Sequence, residues 1–126
     1  MLKIFRVLAV LVLFLSGACF AGVEKLLPEN EVIVFTQATC SHCWAAEDYI
    51  KENYPNLTVQ WREVSDAKNW QLFLACAAKF KLDRSKLGTP LFCMGPHYIM
   101  GWGRSERKQF DEYVKDFYHQ EAQLSN

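Results

Sequence analysis

The order of predicted elements indicates an α/β fold built on one four-stranded mixed sheet. Two strand-like runs are each followed by a helical pattern, and two short apolar runs then flank the turn-forming pair Gly95-Pro96. A strand, a helix and a second strand form a right-handed parallel unit, whereas two runs joined by a tight turn form an antiparallel hairpin. The predicted order is therefore β-α-β-α-β-β-α, with helices on both faces of the sheet.

Composition and charge narrow the class of protein. The chain has 126 residues, of which 51% are hydrophobic and 22% charged, so we expect one globular domain. Lys plus Arg and Asp plus Glu both number 14, which excludes a strongly basic protein that binds nucleic acid. No run reaches the roughly 18 consecutive apolar residues of a standard membrane span.

The N-terminal residues have the pattern of a secretory signal peptide. Lys3 and Arg6 precede an apolar run over residues 7–15, and small residues follow up to Ala21. We expect cleavage after Ala21, with Ala18 as an alternative site. The pattern predicts export, to the periplasm of a Gram-negative bacterium.

Two other interpretations of this segment stay open: an uncleaved membrane anchor and a lipid-modified Cys19. The predicted division of the chain is a signal peptide over residues 1–21 and one domain over residues 22–126. Without the signal peptide the net charge is −2 and four cysteines remain. An exported protein meets oxidising conditions, so this even number suggests pairing.

Local patterns in the first half of the domain predict a strand, a helix and a second strand. Residues 31–36 are rich in β-branched side chains and predict a buried strand. Thr39 is the predicted N-cap of a helix over residues 40–54, which Pro55-Asn56 ends. Apolar and polar residues alternate over 57–62 and predict the second strand. The residues predicted to face inward from the helix are Cys43, Ala46, Tyr49, Ile50 and Tyr54.

The second half of the domain has the patterns of two further helices and the hairpin. Ser65-Asp66 begins a helix, residues 91–94 and 97–100 form the two predicted strands, and Ser105 is the predicted N-cap of the last helix. The predicted apolar stripe of the second helix consists of Trp70, Phe73, Leu74, Ala77 and Phe80. The predicted apolar stripe of the last helix consists of Phe110, Tyr113, Val114, Phe117 and Tyr118.

The most informative motif is Cys40-Ser41-His42-Cys43, which follows a predicted strand and begins a predicted helix. A helix N-terminus offers unpaired N–H groups and the positive end of the peptide dipoles, so it stabilises a thiolate. We therefore expect Cys40 to be the nucleophile and Cys43 to resolve a mixed disulfide with the substrate. A protonated His42 adds a nearby cation, which favours the thiolate and makes the disulfide more oxidising.

Metal binding is the main alternative for this motif. Cys40, Cys43, Cys76, Cys93 and His97 are all residue types that bind zinc or copper(I). There is no second CxxC, however, and the spacings match no common zinc pattern. We therefore expect redox chemistry with no metal and no cofactor. A metal-binding module, or an accessory module without turnover, is the alternative function.

Cys76 and Cys93 lie in the second predicted helix and the third predicted strand. One interpretation is that both are buried apolar thiols. The other is a second, structural disulfide, which export would permit. Sequence alone leaves both interpretations open, because the distance between a helix and a strand does not follow from spacing.

The chain resembles the thioredoxin superfamily, and especially its short glutaredoxin-like branch, over roughly residues 30–120. Three motifs carry this resemblance: Cys40–Cys43, Gly88-Thr89-Pro90 before a strand, and Gly101-Trp102-Gly103 after the hairpin. The resemblance implies a thioredoxin-like fold and a thiol–disulfide oxidoreductase. It also implies a cis Thr89-Pro90 bond beside the dithiol, where both residues would help to bind substrate.

The same resemblance implies cysteine-containing protein substrates and a further partner that recycles the dithiol. Ser41-His42 stands where glutaredoxins usually carry Pro-Tyr or Pro-Phe, and residues 36–39 lack the lysine that the family often uses for glutathione. These departures argue against glutathione as a partner. A histidine as the second central residue is similar to exported disulfide oxidases and isomerases.

Overall fold

The structure, a computed structural model, describes residues 26–124 and the side chains up to residue 117. The predicted signal peptide, residues 1–21, lies outside this range. A short 3-10 helix, Arg84–Lys86, precedes the third strand. Among the described residues, no helix is both long enough and apolar enough to span a bilayer. The strands are β1 (Val32–Thr36), β2 (Val59–Glu63), β3 (Leu91–Met94) and β4 (His97–Met100), and the helices are α1 (Ser41–Asn53), α2 (Ala67–Lys79) and α3 (Arg104–Leu124).

The four strands form one mixed sheet in the order β2-β1-β3-β4. β1 pairs with β2 in parallel, and it pairs with β3 antiparallel, as β3 does with β4. Val34, in the middle of β1, lies between Trp61 of β2 and Phe92 of β3. These pairings confirm the predicted order of elements, the parallel unit and the hairpin.

Each face of the sheet has its own core, because side chains alternate along a strand. Val34 and Phe92 face α1 and α3, whereas Phe35 and Cys93 face α2. Full burial of one large apolar side chain contributes roughly 1.5–3 kcal/mol. The first core contains Val32, Val34, Ala46, Ile50, Phe92, Met94, Ile99, Trp102, Phe110, Val114 and Phe117. The second core contains Leu27, Ile33, Phe35, Val64, Phe73, Cys76, Leu91 and Cys93.

Cys40, and not Thr39, is the N-cap of α1. The Cys40 backbone is extended, and its Sγ accepts a hydrogen bond from the backbone N–H of Cys43 at 3.2 Å. A sulfur atom can take this role because the first N–H groups of a helix have no partner within it. The prediction for Thr39 is therefore wrong by one residue, and the CxxC motif caps its own helix.

Helix α3 also begins earlier than predicted. Its first residue is Arg104, so the predicted N-cap Ser105 already lies inside the helix. The reason is that the Gly103 carbonyl accepts the backbone N–H of Arg107 at 3.0 Å, which closes the first helical turn one residue earlier. Tyr118, which was predicted to face inward, lies outside the described side chains.

Of the five residues predicted to form the apolar stripe of α2, Trp70 alone is exposed. Phe73 and Ala77 are buried as predicted, together with Cys76. Trp70 is instead 43% exposed, and its ring stacks on Phe73 with 5.3 Å between ring centroids. The contact of α2 with the sheet is centred on residues at positions i, i+3 and i+4, and Trp70 in the first turn lies outside it.

Candidate active site

The dithiol of the CxxC motif lies where β1 ends and α1 begins. Cys40 and Cys43 form a disulfide, with 5.2 Å between their Cα atoms, inside the usual range for such bonds. Cys40 is half-buried, whereas Cys43 is 2% exposed because it lies on the inner face of α1. A thiol from another molecule can therefore reach Cys40, but it cannot reach Cys43.

The loop before β3 lies against this disulfide. The Thr89–Pro90 peptide bond is cis, as expected. The carbonyl oxygen of Thr89 is 3.5 Å from Cys40 Sγ, and Thr89 Oγ1 donates a hydrogen bond to Gln37 Oε1 at 3.2 Å. The backbone N–H of Gly101 donates to the Pro90 carbonyl at 2.8 Å. The fold therefore brings the predicted Thr89 and Pro90 together with the dithiol.

His42 is exposed on the first turn of α1 and is held by a backbone carbonyl. Its Nδ1 lies 3.1 Å from the carbonyl oxygen of Trp102. Since a carbonyl only accepts hydrogen bonds, Nδ1 carries the proton in this contact. This bond sets the orientation of the imidazole next to the disulfide. The tuning role of His42 stays a prediction.

A hydrogen-bonded brace joins the helix of the dithiol to α3. The hydroxyls of Tyr49 and Tyr54 donate to the Asp111 carboxylate at 3.0 and 2.6 Å. Burial, and then the hydrogen bond to Asp111, raises the pKa of Tyr49 above its ordinary value. The Tyr49 ring also lies 5.5 Å from the Trp102 ring, so the brace reaches the loop that holds His42.

Cys76 and Cys93 meet across the interface of α2 and β3 in the second core. Both are free thiols in the structure, with exposures of 0% and 3%. A hydrogen bond with the Cys93 thiol, together with burial, raises the pKa of Cys76 far above that of a free thiol. The structure thus has the buried-thiol arrangement for this pair, not a second disulfide.

The candidate ligands for a metal are not gathered into one site. Among residues 26–117, no group of three or more His, Cys, Asp or Glu side chains is placed to hold a metal ion. His97, grouped with the cysteines on the basis of residue type, is instead 3.4 Å from the Asp116 carboxylate and stacks on Tyr113. Cys76 and Cys93 share the second core and face each other.

Three side chains near the dithiol were missed by the sequence analysis. Gln37 contacts Thr89, and Trp70 and Arg84 line a cavity of about 260 Å³ that also includes Thr89 and Gln37. No motif in the sequence indicates this grouping, since the residues come from three separate segments.

Comparisons with protein-family models, with curated proteins and with solved structures gave no match to this chain. The class of protein therefore has to be inferred from the site itself. That site is a disulfide at a helix N-terminus, with one accessible sulfur beside a loop that contains a cis proline.

Proposed function

We propose that this chain is an exported thiol–disulfide oxidoreductase with a thioredoxin-like fold, which acts on cysteines of other proteins. One observation carries the proposal: Cys40 is accessible, bonded to the buried Cys43, and 3.5 Å from the Thr89 carbonyl. A structural disulfide has no need of an accessible sulfur at a helix N-terminus, where a thiolate is stabilised.

The reaction is an exchange of two electrons between this disulfide and a substrate dithiol. A substrate thiolate attacks Cys40 Sγ, the Cys40–Cys43 bond breaks, and Cys43 leaves as a thiolate that takes up a proton. A second substrate thiolate then attacks the substrate sulfur of the mixed disulfide and releases Cys40. The substrate is oxidised and the protein is reduced. The reverse sequence reduces a substrate disulfide, and a redox partner restores the starting state.

The other residues of the site position the reactants. Thr89 lies between Cys40 and Gln37, so an extended substrate segment can pair with this loop while its cysteine reaches Cys40. The Nδ1 of His42 is held by the carbonyl of Trp102, which fixes the orientation of the imidazole on the first turn of α1. When protonated, His42 stabilises the Cys40 thiolate and so favours the reduced protein.

The test is to measure the reduction potential of the dithiol in glutathione buffers together with the exchange activity of cysteine variants. A potential near about −120 mV would identify an oxidant, and one near about −270 mV a reductant. We expect Cys40→Ser to abolish exchange and Cys43→Ser to accumulate mixed disulfides with substrates. Cys76→Ala is the matched control, because it removes a thiol outside the site. Normal exchange by Cys40→Ser, or a dithiol that does not cycle, would refute the proposal.

A further inference from the structure

A cavity adjoins the dithiol on the side of α2. It has a volume of about 260 Å³ and lies between α2, the short helix Arg84–Lys86 and the loop before β3. Gln37 and Thr89 form part of its wall, and the Thr89 carbonyl oxygen is 3.5 Å from Cys40 Sγ. Thr89 therefore contacts both the cavity and the reactive sulfur.

The residues that line the cavity include one exposed aromatic ring and one cation. Trp70 is 43% exposed and lies flat on Phe73, while Leu74 and Leu87 add apolar wall. Arg84 is exposed, and its guanidinium makes no ion pair with any residue in the described part of the chain. Such a surface suits one aromatic ring and one carboxylate.

The size of the cavity indicates what kind of molecule it holds. Pockets that enclose a whole small ligand usually have about 300–1,000 Å³. At about 260 Å³ this cavity is smaller, it is partly open to solvent, and Thr89 forms part of its wall. It therefore fits a short part of a longer peptide better than a complete separate ligand.

We propose that this cavity selects substrate proteins in which an aromatic residue and an acidic residue lie next to the reactive cysteine. The inference rests on the proposed exchange function and names its substrate class. The aromatic ring packs on Trp70, the acidic side chain pairs with Arg84, and the backbone between them passes Thr89. The cysteine that follows is thereby presented to Cys40.

The experiment uses reduced protein and peptides whose single cysteine carries a thionitrobenzoate group. The Cys40 thiolate attacks the peptide sulfur, and thionitrobenzoate leaves with the electron pair and is measured by its colour. Cys43 then attacks Cys40, which reforms the protein disulfide and releases the peptide thiol. One peptide has Phe and Asp beside the cysteine, and a second has the same composition with both moved to the far end. The reference compound is the single amino acid cysteine with the same group on its sulfur.

We expect the first peptide to react faster than the second, and variants of the cavity to remove that preference. Trp70→Ala should lower the rate with the first peptide by about tenfold. Arg84→Gln should lower it by about two- to fivefold. Neither variant should change the rate with the reference compound by more than about twofold.

Two matched controls test whether the effect belongs to the cavity. Tyr98→Ala removes another exposed aromatic ring, which packs on Phe80 with 5.1 Å between centroids and lies outside the cavity. Lys86→Gln removes a cation from the same short helix as Arg84. Both should react with the two peptides as the wild-type protein does.

The outcomes separate the two proposals. Equal rates with the two peptides would overturn the substrate class alone. So would Trp70 and Arg84 variants whose rate falls by the same factor with the reference compound as with the first peptide. Saturable binding of glutathione that is lost in Arg84→Gln, without a preference between the peptides, would overturn it as well. If the reference compound reacts no faster with the wild-type protein than with Cys40→Ser, the exchange function itself fails, and the substrate class fails with it.

Discussion

The two cysteine pairs of this chain differ in the properties that govern thiol chemistry. Cys40 and Cys43 are bonded at the start of α1, and one of the two sulfurs is accessible. Cys76 and Cys93 are free thiols inside the second core. A helix N-terminus stabilises a thiolate, whereas an apolar core opposes its formation. Placement in the fold, more than residue type, therefore decides which pair can react.

The largest expected difference between the pairs is their rate of alkylation. In reduced protein, we expect iodoacetamide to modify Cys40 at least about a thousandfold faster than Cys76 or Cys93. The reason is that reagent reaches the buried pair only when the second core opens, which costs several kcal/mol. Mass spectrometry of peptides from a time course gives the rate for each cysteine.

A denatured sample is the control for intrinsic reactivity. In denaturant, the rates of the three cysteines should agree within about tenfold, because the fold no longer separates them. Modification of Cys76 in folded protein within tenfold of the rate for Cys40 would contradict the comparison.

The free energy of unfolding provides a second test, of how apolar the surroundings of Cys76 and Cys93 are. Cys76→Ser places a hydroxyl in an apolar cluster, where the Cys93 sulfur is only a weak hydrogen-bond partner, so we expect the free energy of unfolding to fall by about 1–3 kcal/mol. Cys76→Ala adds no polar group and should cost less. Urea unfolding followed by circular dichroism measures both. A serine variant as stable as the alanine variant would show that the site is less apolar than the structure indicates.

The hydrogen-bonded brace between α1 and α3 should depend on pH. The pKa of Tyr49 is raised from 10.0 by burial and by its hydrogen bond to Asp111. The folded state thus holds this proton more tightly than the unfolded state does. Its contribution to stability is complete below about pH 10 and is lost as the pH rises through the folded pKa. Stability should therefore fall in alkaline solution.

The substitution that tests this brace is Tyr49→Phe, which removes the hydroxyl and keeps the ring. We expect it to cost about 1 kcal/mol at neutral pH and to make the alkaline loss of stability shallower. Urea unfolding between pH 7 and pH 11 measures both effects. Tyr98→Phe, on β4, is the control and should behave as the wild-type protein. An unchanged alkaline profile for Tyr49→Phe would rule out this role.

The smallest expected effect is that of His42 on the reduction potential of the Cys40–Cys43 pair. His42→Ala should lower the reduction potential by about 10–20 mV, since the thiolate loses a neighbouring side chain that can carry positive charge. Titration in glutathione buffers measures this shift. His97→Ala removes a histidine that pairs with Asp116 and should leave the potential unchanged. A rise in the potential of His42→Ala would contradict the expected sign.

Much of the fold could be predicted because its signals are local. The run over residues 31–36 and the turn at Gly95-Pro96 depend on near neighbours in the chain, and the structure has the strands that they predict. The N-cap of α1 and the burial of Trp70 were predicted wrongly. Both depend on where the helix ends meet their surroundings, which side-chain periodicity does not report.

The candidate site was predicted in part. The dithiol follows from the spacing of Cys40 and Cys43, and the contact with Thr89-Pro90 was inferred only through a family resemblance. The contact between His42 and the Trp102 carbonyl, and the cavity with Trp70 and Arg84, had no sequence signal. They join segments that are far apart in the chain, and no local pattern encodes such pairs.

The sequence by itself determined the order of elements and placed a dithiol at the start of a helix, because periodicity, turn residues and cysteine spacing act over a few residues. Only the tertiary structure decided which sulfur is accessible, which carbonyl holds His42 and which side chains surround the dithiol. It also decided that Cys76 and Cys93 meet in a buried apolar core. These properties depend on packing between distant segments, and the energy of burial is settled only when the whole chain has folded.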